Sequence, residues 1–222
     1  MNILAVDSCS MVAACAVLCD DKLVAEGYVN HSKTHSQKLL PMIDNVIKSA
    51  QMTVKDIDLF VCTTGPGSFT GQRIGISTVK GLAQGLNKPC VGVSSLESMA
   101  YNIPFTDAII CPIMDARRGQ VYNGLYKWEG GKLVTIQADR ALALDDLLEE
   151  LKGQKVVFLG DGVPVFKDKL GDFLIAPPHL SQIRGGSVAM LGKDKEPVTY
   201  DKLLPMYLRK SQAEREYEEK NK

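Results

Sequence analysis

The 222-residue sequence has no excess charge of either sign, since 26 Lys and Arg stand against 26 Asp and Glu. A protein that binds nucleic acid by itself usually shows a basic stripe or a high pI. If RNA is involved, another subunit is expected to supply most of the phosphate contacts. No apolar run approaches the length of a membrane span, and the start lacks the basic region and cleavage site of a secretory signal. A cytoplasmic location with no membrane contact is therefore expected. Six cysteines, at 9, 15, 19, 62, 90 and 111, form no CxxC pair. Most sit in apolar strand-like runs, as reduced buried thiols do. GxxxxGK(S/T), GxSxG and HExxH are all missing. There are three histidines, and the third, His179, follows Pro177-Pro178 in a loop, so no nucleophile has a recognisable base. His31 and His35 have i, i+4 spacing, but the helix is expected to start near His35, which leaves His31 outside it. No catalytic residue and no metal site are expected.

What is there reads as an α/β chain. Short apolar strands are expected at Ile3–Val6, Val12–Leu18 and Leu23–Val29, with Asp20-Asp21 as a turn. Apolar residues at 39, 40, 42, 43, 46, 47 and 50 give helical spacing from His35 to Met52. A fourth strand, Asp58–Cys62, runs into Gly65-Pro66-Gly67-Ser68 and a second helix that Asn87-Lys88-Pro89 stops near Leu86. The order βββαβα fills a first lobe, residues 1–93. A second, smaller lobe is expected over 94–209. It opens on a capping box at Ser94-Ser95-Leu96-Glu97, has strands near 109–113, 121–128, 132–138 and 156–159, and has helices near 145–151 and 187–191. Residues 210–222 form a highly charged tail, either a solvated helix extension or disordered.

The glycine run Thr64-Gly65-Pro66-Gly67-Ser68-Phe69-Thr70-Gly71-Gln72-Arg73-Ile74-Gly75 is the most distinctive feature. Glycine at 65 and 67 permits positive φ, and Ser68 or Thr70 can cap the helix. Two readings stand side by side: exposed amides forming an anion site, or glycines that let the helix pack tightly on the sheet. The run resembles the signature of the TsaB (YeaZ) family, which more commonly has Leu where Gln72 stands. Further matching pieces follow in family order: Ile3–Ser8, His35-Ser36 with Leu39-Leu40-Pro41, Asp115–Tyr122, Gly160-Asp161-Gly162 and Pro205–Arg209.

The resemblance implies an actin-like ATPase, ribonuclease H-like fold in two lobes. It also implies an accessory role in forming N6-threonylcarbamoyladenosine at position 37 of tRNAs that read codons beginning with A. The implied partners are a catalytic threonylcarbamoyl transferase subunit (TsaD-like) and a small ATPase (TsaE-like). A homodimer is the arrangement expected of the chain alone, and contact with tRNA is expected to be indirect. ATP is used by the complex, with no cofactor held by this chain alone. In active members of the wider superfamily an acidic residue and hydroxyls at the first strand end meet metal and phosphate. Asp7, Ser8, Gly65, Gly67 and Ser68 are the candidates here, although a polar strand-end turn is the favoured reading of Asp7-Ser8-Cys9-Ser10. Asp115, Arg117 and Arg118 suit either an anion contact or a turn fixed by an internal ion pair, the second being favoured.

The physical case for a partner rests on two helices. Leu39, Ile43, Val46 and Ala50 form one stripe, and Leu40, Met42 and Ile47 lie off it, more apolar surface than one sheet is expected to cover. The second helix holds Gly71, Gly75, Gly81 and Gly85, each costing about 1 kcal/mol relative to alanine. Close approach of another helix is the simplest offset. Leu39, Leu40, Met42, Ile43, Val46, Ile47, Gly71, Arg73, Ile74 and Gly75 are therefore the expected interface. The rival reading is an enzyme of the same superfamily, an ATP-dependent kinase or a metal-dependent peptidase, with Asp7 at its centre.

Overall fold

A computed structural model describes residues 1–30 and 35–209. The N-terminal sheet is built from β1 (Asn2–Asp7), β2 (Val12–Cys19), β3 (Lys22–Asn30), β4 (Leu59–Gly65) and β5 (Cys90–Ser94) in the order β3-β2-β1-β4-β5. Between these strands run α1 (His35–Ser49) and α2 (Phe69–Leu86), and α3 (Ser95–Ala100) follows β5. The second sheet holds β6 (Ile109–Arg117), β7 (Gln120–Glu129), β8 (Lys132–Ala143), β9 (Val156–Leu159) and β10 (Leu174–Ile175) in the order β10-β9-β6-β7-β8. Its helices are α4 (Leu144–Glu150) and α5 (Gly162–Phe166), and α6 (Gly185–Lys193) follows β10.

Strand alternation explains the layers. Ile3 and Ala5 of β1, with Leu59 and Val61 of β4, face a central core, while Leu4, Val6, Phe60 and Cys62 face the opposite side. Successive side chains of a strand point to opposite faces, so strands buried on both faces read as continuous apolar runs. β1 and β4 are parallel, with Ile3 opposite Leu59, and β1 and β2 are antiparallel. The second sheet repeats the device: Val157 and Leu159 face the central core, Val156 and Phe158 the outer one. The central core lies between the sheets and includes α3 and α6. α1 and α2 cover the outside of the first sheet, and α4 and α5 the outside of the second.

Several expectations need adjustment. β6, β8 and α6 are longer than expected, and α5 and β10 were not anticipated. α6 packs on β1, β2 and β4, and Val198 pairs with Cys90, so the chain returns to the first sheet after building the second. The capping box is half present. Ser94 Oγ accepts from the amides of Leu96 and Glu97, but the Glu97 carboxylate turns to Lys195 Nζ at 2.5 Å. The charged tail, 210–222, lies outside the described residues.

The apolar arc of α1 is covered from within the chain. Leu39, Met42, Ile43, Val46 and Ile47 are all buried against the sheet and α2, and only Leu40 is exposed, at 54%. Met42 and Val46 find room because Gly27 of β3 has no side chain: a Cβ there would lie 3.0 Å from Met42 Cγ and 2.9 Å from Val46 Cγ2. This corrects the expectation that the arc exceeds what the chain can cover.

Candidate functional site

A cleft of about 550 Å³ lies where the C-terminal ends of β1 and β9 approach each other from the two sheets. Ligands in open α/β sheets bind outside such strand ends. One wall is Cys9, Ser10, Met11, His35, Gly67, Ser68 and Phe69. The other is Met114, Asp115, Ala116, Arg117, Tyr122, Asp161 and Val165.

Asp7 ends β1 and is fully buried. Its Oδ1 accepts from Thr63 Oγ1 at 2.5 Å and from the Cys9 amide at 3.0 Å, while Oδ2 has no partner. Burial pushes its carboxyl up to about 6, against the pull of those hydrogen bonds. Asp161, after β9, is also pushed up to about 6, first by burial, with Asp115 and Asp7 adding repulsion. Asp161 Oδ1 accepts from the Asp115 amide at 3.3 Å. Burial drives the Cys9 thiol up to about 12, which favours the thiol over the thiolate. His35 Nε2 lies 2.8 Å from the Ser10 carbonyl. His31 lies outside the described residues. Among the described residues no group of three or more His, Cys, Asp and Glu is arranged to hold a metal.

The glycine loop is packed against the Ser8-Cys9 turn. Ser68 Oγ caps α2, accepting from the Gly71 amide at 3.2 Å. The Ser68 amide donates to the Cys9 carbonyl at 2.8 Å, and the Gln72 amide to the Ser68 carbonyl at 2.8 Å. A Cβ at Gly67 would collide with the Cys9 carbonyl, and one at Gly71 with the Ser8 carbonyl. Ser8 Oγ donates to the Gly71 carbonyl at 2.8 Å and would lie 2.5 Å from a Cβ at Gly75. The amides of Ser68, Gly71 and Gln72 are thus used within the chain, and the Cys9 and Ser8 carbonyls lie against Gly67 and Gly71. Of the two readings of this run, the packing one describes what these glycines touch. The helix that Gly71 and Gly75 were expected to admit is in fact the Ser8 turn. Gly81 and Gly85 differ, because a Cβ at either meets nothing within 4 Å.

Arg73 is exposed, its Nε donating to Tyr207 Oη at 3.0 Å, and Ile74 is half-buried. Tyr207 stacks on Phe69 with ring centroids 4.8 Å apart. Arg117 pairs with Asp115, Nη1 to Oδ2 at 3.1 Å, as the turn reading expects.

A family model described as "TsaD: tRNA N6-adenosine threonylcarbamoyltransferase" matches residues 29–215. The chain is 38% identical to the tRNA threonylcarbamoyladenosine biosynthesis protein TsaB of Bacillus subtilis, over all of both chains. It belongs to the TsaB family. The TsaB of Escherichia coli is 31% identical over 76% of this chain and 74% of its own. The solved structure of YeaZ from Pseudomonas aeruginosa superposes with a TM-score of 0.82 at 24% identity, over 93% of this chain and 99% of that one. The actin-like fold implied by the motifs is therefore the fold of this TsaB-family chain.

From sequence, Gly160-Asp161-Gly162 was weighed as a turn that could approach a nucleotide and His35 as half of a metal clamp, and both were set aside; Phe69 was not singled out. A signal for Asp161 existed: Asp7 is the last residue of buried β1 and Asp161 stands two residues after buried β9, one strand in each sheet. The two lie too far apart in the chain for spacing to join them.

Proposed function

We propose that this chain is the non-catalytic accessory subunit in formation of N6-threonylcarbamoyladenosine at position 37 of tRNAs reading codons that begin with A. It supports and activates a TsaD-like catalytic subunit in the cytoplasm, and a small TsaE-like ATPase joins the pair. It holds no nucleotide or metal of its own. The relatives' shared name, tRNA threonylcarbamoyladenosine biosynthesis protein, supports the pathway. The observation that supports the accessory role is the glycine loop, whose Ser68 amide donates to the Cys9 carbonyl and whose Gly67 and Gly71 lie against the Cys9 and Ser8 carbonyls.

The outer side of α2 supports a helical partner. Arg73, Ser77, Gly81, Gln84 and Gly85 are exposed along it, with Leu40 of α1 nearby on the same layer. Gly81 and Gly85 together give up about 2 kcal/mol of helix propensity relative to alanine, and no contact among the described residues explains them. Close approach of a partner helix does. The same face serves a second copy when the chain is alone.

The test is co-purification of the chain with the catalytic subunit, followed by nucleoside mass spectrometry of tRNA from cells lacking it. Loss of the modified nucleoside, restored by the wild-type chain, is the expected result. The purified chain alone is expected to show negligible ATP turnover and no peptidase activity. Robust turnover abolished by Asp7→Ala would favour the kinase reading instead.

A further inference from the structure

After α6 the chain returns to the first sheet and then crosses to the second at the rim of the cleft. Val198 exchanges backbone hydrogen bonds with Cys90 at the start of β5, and the Met206 amide donates to the Thr64 carbonyl at 2.8 Å. Between these points the chain runs beside α2. Lys80 Nζ lies 3.5 Å from the Asp201 carbonyl, and Arg73, earlier in the helix, holds Tyr207. Two residues after Tyr207, the Arg209 guanidinium donates to the Ala116 carbonyl of β6.

Both ends of this crossing are specific. In the β6–β7 ladder Asp115 pairs with Val121 and Arg117 with Gln120, which leaves Ala116 as the extra residue of a bulge. A bulged residue drops out of the ladder, and Ala116 is buried, so its carbonyl needs a donor from elsewhere. Arg209 supplies it. Ala116 lines the cleft, and the neighbouring Asp115 amide donates to Asp161 Oδ1. At the other end Tyr207 stacks on Phe69, which also lines the cleft, and its hydroxyl accepts from Arg73 Nε. The Arg73 guanidinium carbon lies 5.7 Å from the centre of the same ring. Arg73 stands on the outer side of α2, the face given to a partner above. A neutral hydroxyl takes it through one nitrogen, whereas a carboxylate takes a guanidinium through two and binds it more strongly. A partner carboxylate on that face therefore competes with the tyrosine.

We propose that residues 206–209 are a strap that couples docking on α2 to the rim of the cleft. In one arrangement Arg73 holds Tyr207, and Arg209 holds the bulge of β6. In the other the partner takes Arg73, Tyr207 is released, and Arg209 leaves the Ala116 carbonyl, so the β6–β7 hairpin loosens. The partner shifts the balance because it pairs with Arg73 better in the second arrangement than in the first, the differential contact that coupling requires. The inference rests on the docking face proposed above and adds its regulation: assembly alters the cleft without filling it.

The test is hydrogen–deuterium exchange across residues 114–122, read in the full chain alone and in its complex with the catalytic subunit. A peptide from α6 is the internal reference for global unfolding. In the chain alone, Arg209→Met should speed exchange of the hairpin severalfold and leave α6 unchanged. Tyr207→Phe keeps the stack on Phe69, removes the acceptor for Arg73, and should move the hairpin the same way. Assembly of the wild-type chain should also speed hairpin exchange, and should add little in Arg209→Met. Coupling is reciprocal, so loosening the strap must favour docking. Tyr207→Phe is expected to bind the catalytic subunit about two- to tenfold more tightly, the range of one hydrogen bond. A tyrosine that only lines the interface would give the opposite sign. Wild-type hairpin exchange in Arg209→Met would overturn the strap. So would hairpin exchange that assembly leaves unchanged, or Tyr207→Phe binding no more tightly than wild type. If the wild-type chain does not assemble, the proposed function falls and the chain alone decides the strap: faster hairpin exchange in Tyr207→Phe keeps it, and wild-type exchange removes it.

Discussion

At the start of α2, Gly71 and Gly75 face the Ser8 turn, and a methyl group at either would strike it. Towards the end of the same helix, Gly81 and Gly85 face open space. A glycine in a helix interior gives up about the same propensity wherever it stands, so the sequence presents four equal anomalies. The structure separates them. Two let the helix start seat itself on the end of β1, and that seating shapes one wall of the cleft. The other two meet nothing among the described residues. The contrast divides the helix into an end that builds the fold and an end available to a partner.

The largest effect is expected at the packed end. Gly71→Ala places a methyl group against the Ser8 carbonyl, which is backbone and has little freedom to move. A loss of about 3 kcal/mol in chemical denaturation is expected, at the upper end of overpacking. Gly75→Ala meets the Ser8 hydroxyl instead. That group can rotate only by leaving the Gly71 carbonyl, so about 1–2 kcal/mol is expected. If both variants melt like wild type, the helix is not seated as described and the comparison fails.

Asp7 tests how dry the packed end is. Its ordinary value is 3.8, and burial raises it to about 6 in the folded chain. The folded state therefore holds the proton more tightly than the unfolded one. The stability Asp7 contributes is fully present below about pH 4 and is lost as pH rises through about 6. A shift of about two units corresponds to on the order of 2–3 kcal/mol at full ionisation. Asp7→Asn keeps an acceptor for Thr63 and the Cys9 amide and removes the ionisation. Relative to wild type, the variant should gain stability between about pH 4 and 6 and hold that gain above it. Parallel pH profiles would mean that water reaches the carboxylate.

How much of this was legible in the sequence follows from which interactions are local. Alternation within β1 and β4, the Ser68 cap and the Asn87 stop are set by neighbouring residues, and the structure has them where the residues suggest. Asn87 ends α2 in the left-handed conformation, with φ of 53°. The burial of Met42 and Ile47 was not legible, because Met42 depends on Gly27 in another strand, and the cluster that holds both is shared with α2 alongside. The four glycines were given one reason, close approach of another helix, because the neighbours that separate Gly71 and Gly75 from the other two come from the β1–β2 turn. In the site, Asp7 was visible as a strand-end carboxylate. Its counterpart Asp161 becomes meaningful only once the two sheets face each other.

Association is expected to respond at the open end. Gly81→Leu adds a side chain where the isolated chain has empty space, so its melting temperature should not fall. Binding to the catalytic subunit should weaken about tenfold, or about 1.4 kcal/mol, if a helix packs closely there. Leu40→Glu places a charge on the exposed apolar residue of α1 and should act in the same direction. Sedimentation and partner pull-down read both. Unchanged binding in both variants would place the partner elsewhere and leave the end of α2 simply solvated.

The smallest effect is the sharpest test of the division, because its sign differs between the two ends. Gly81→Ala and Gly85→Ala each add one methyl group that touches nothing within 4 Å. Alanine also restricts the unfolded chain more than glycine does, and a helical backbone suits it. Each variant should therefore stabilise the isolated chain by about 0.5–1 kcal/mol, where Gly71→Ala and Gly75→Ala destabilise it. The gain at Gly85 should be the smaller, since it lies two residues before the Asn87 cap, where the helix is nearly over. Thermal unfolding of the four alanine variants under one condition reads all the signs together. A loss at Gly81 would mean that a neighbour within the chain crowds the position, and the glycine would need no partner to explain it. A gain in the isolated chain combined with weaker assembly would show that the position gives up helix stability to let another surface approach closer than a methyl group allows.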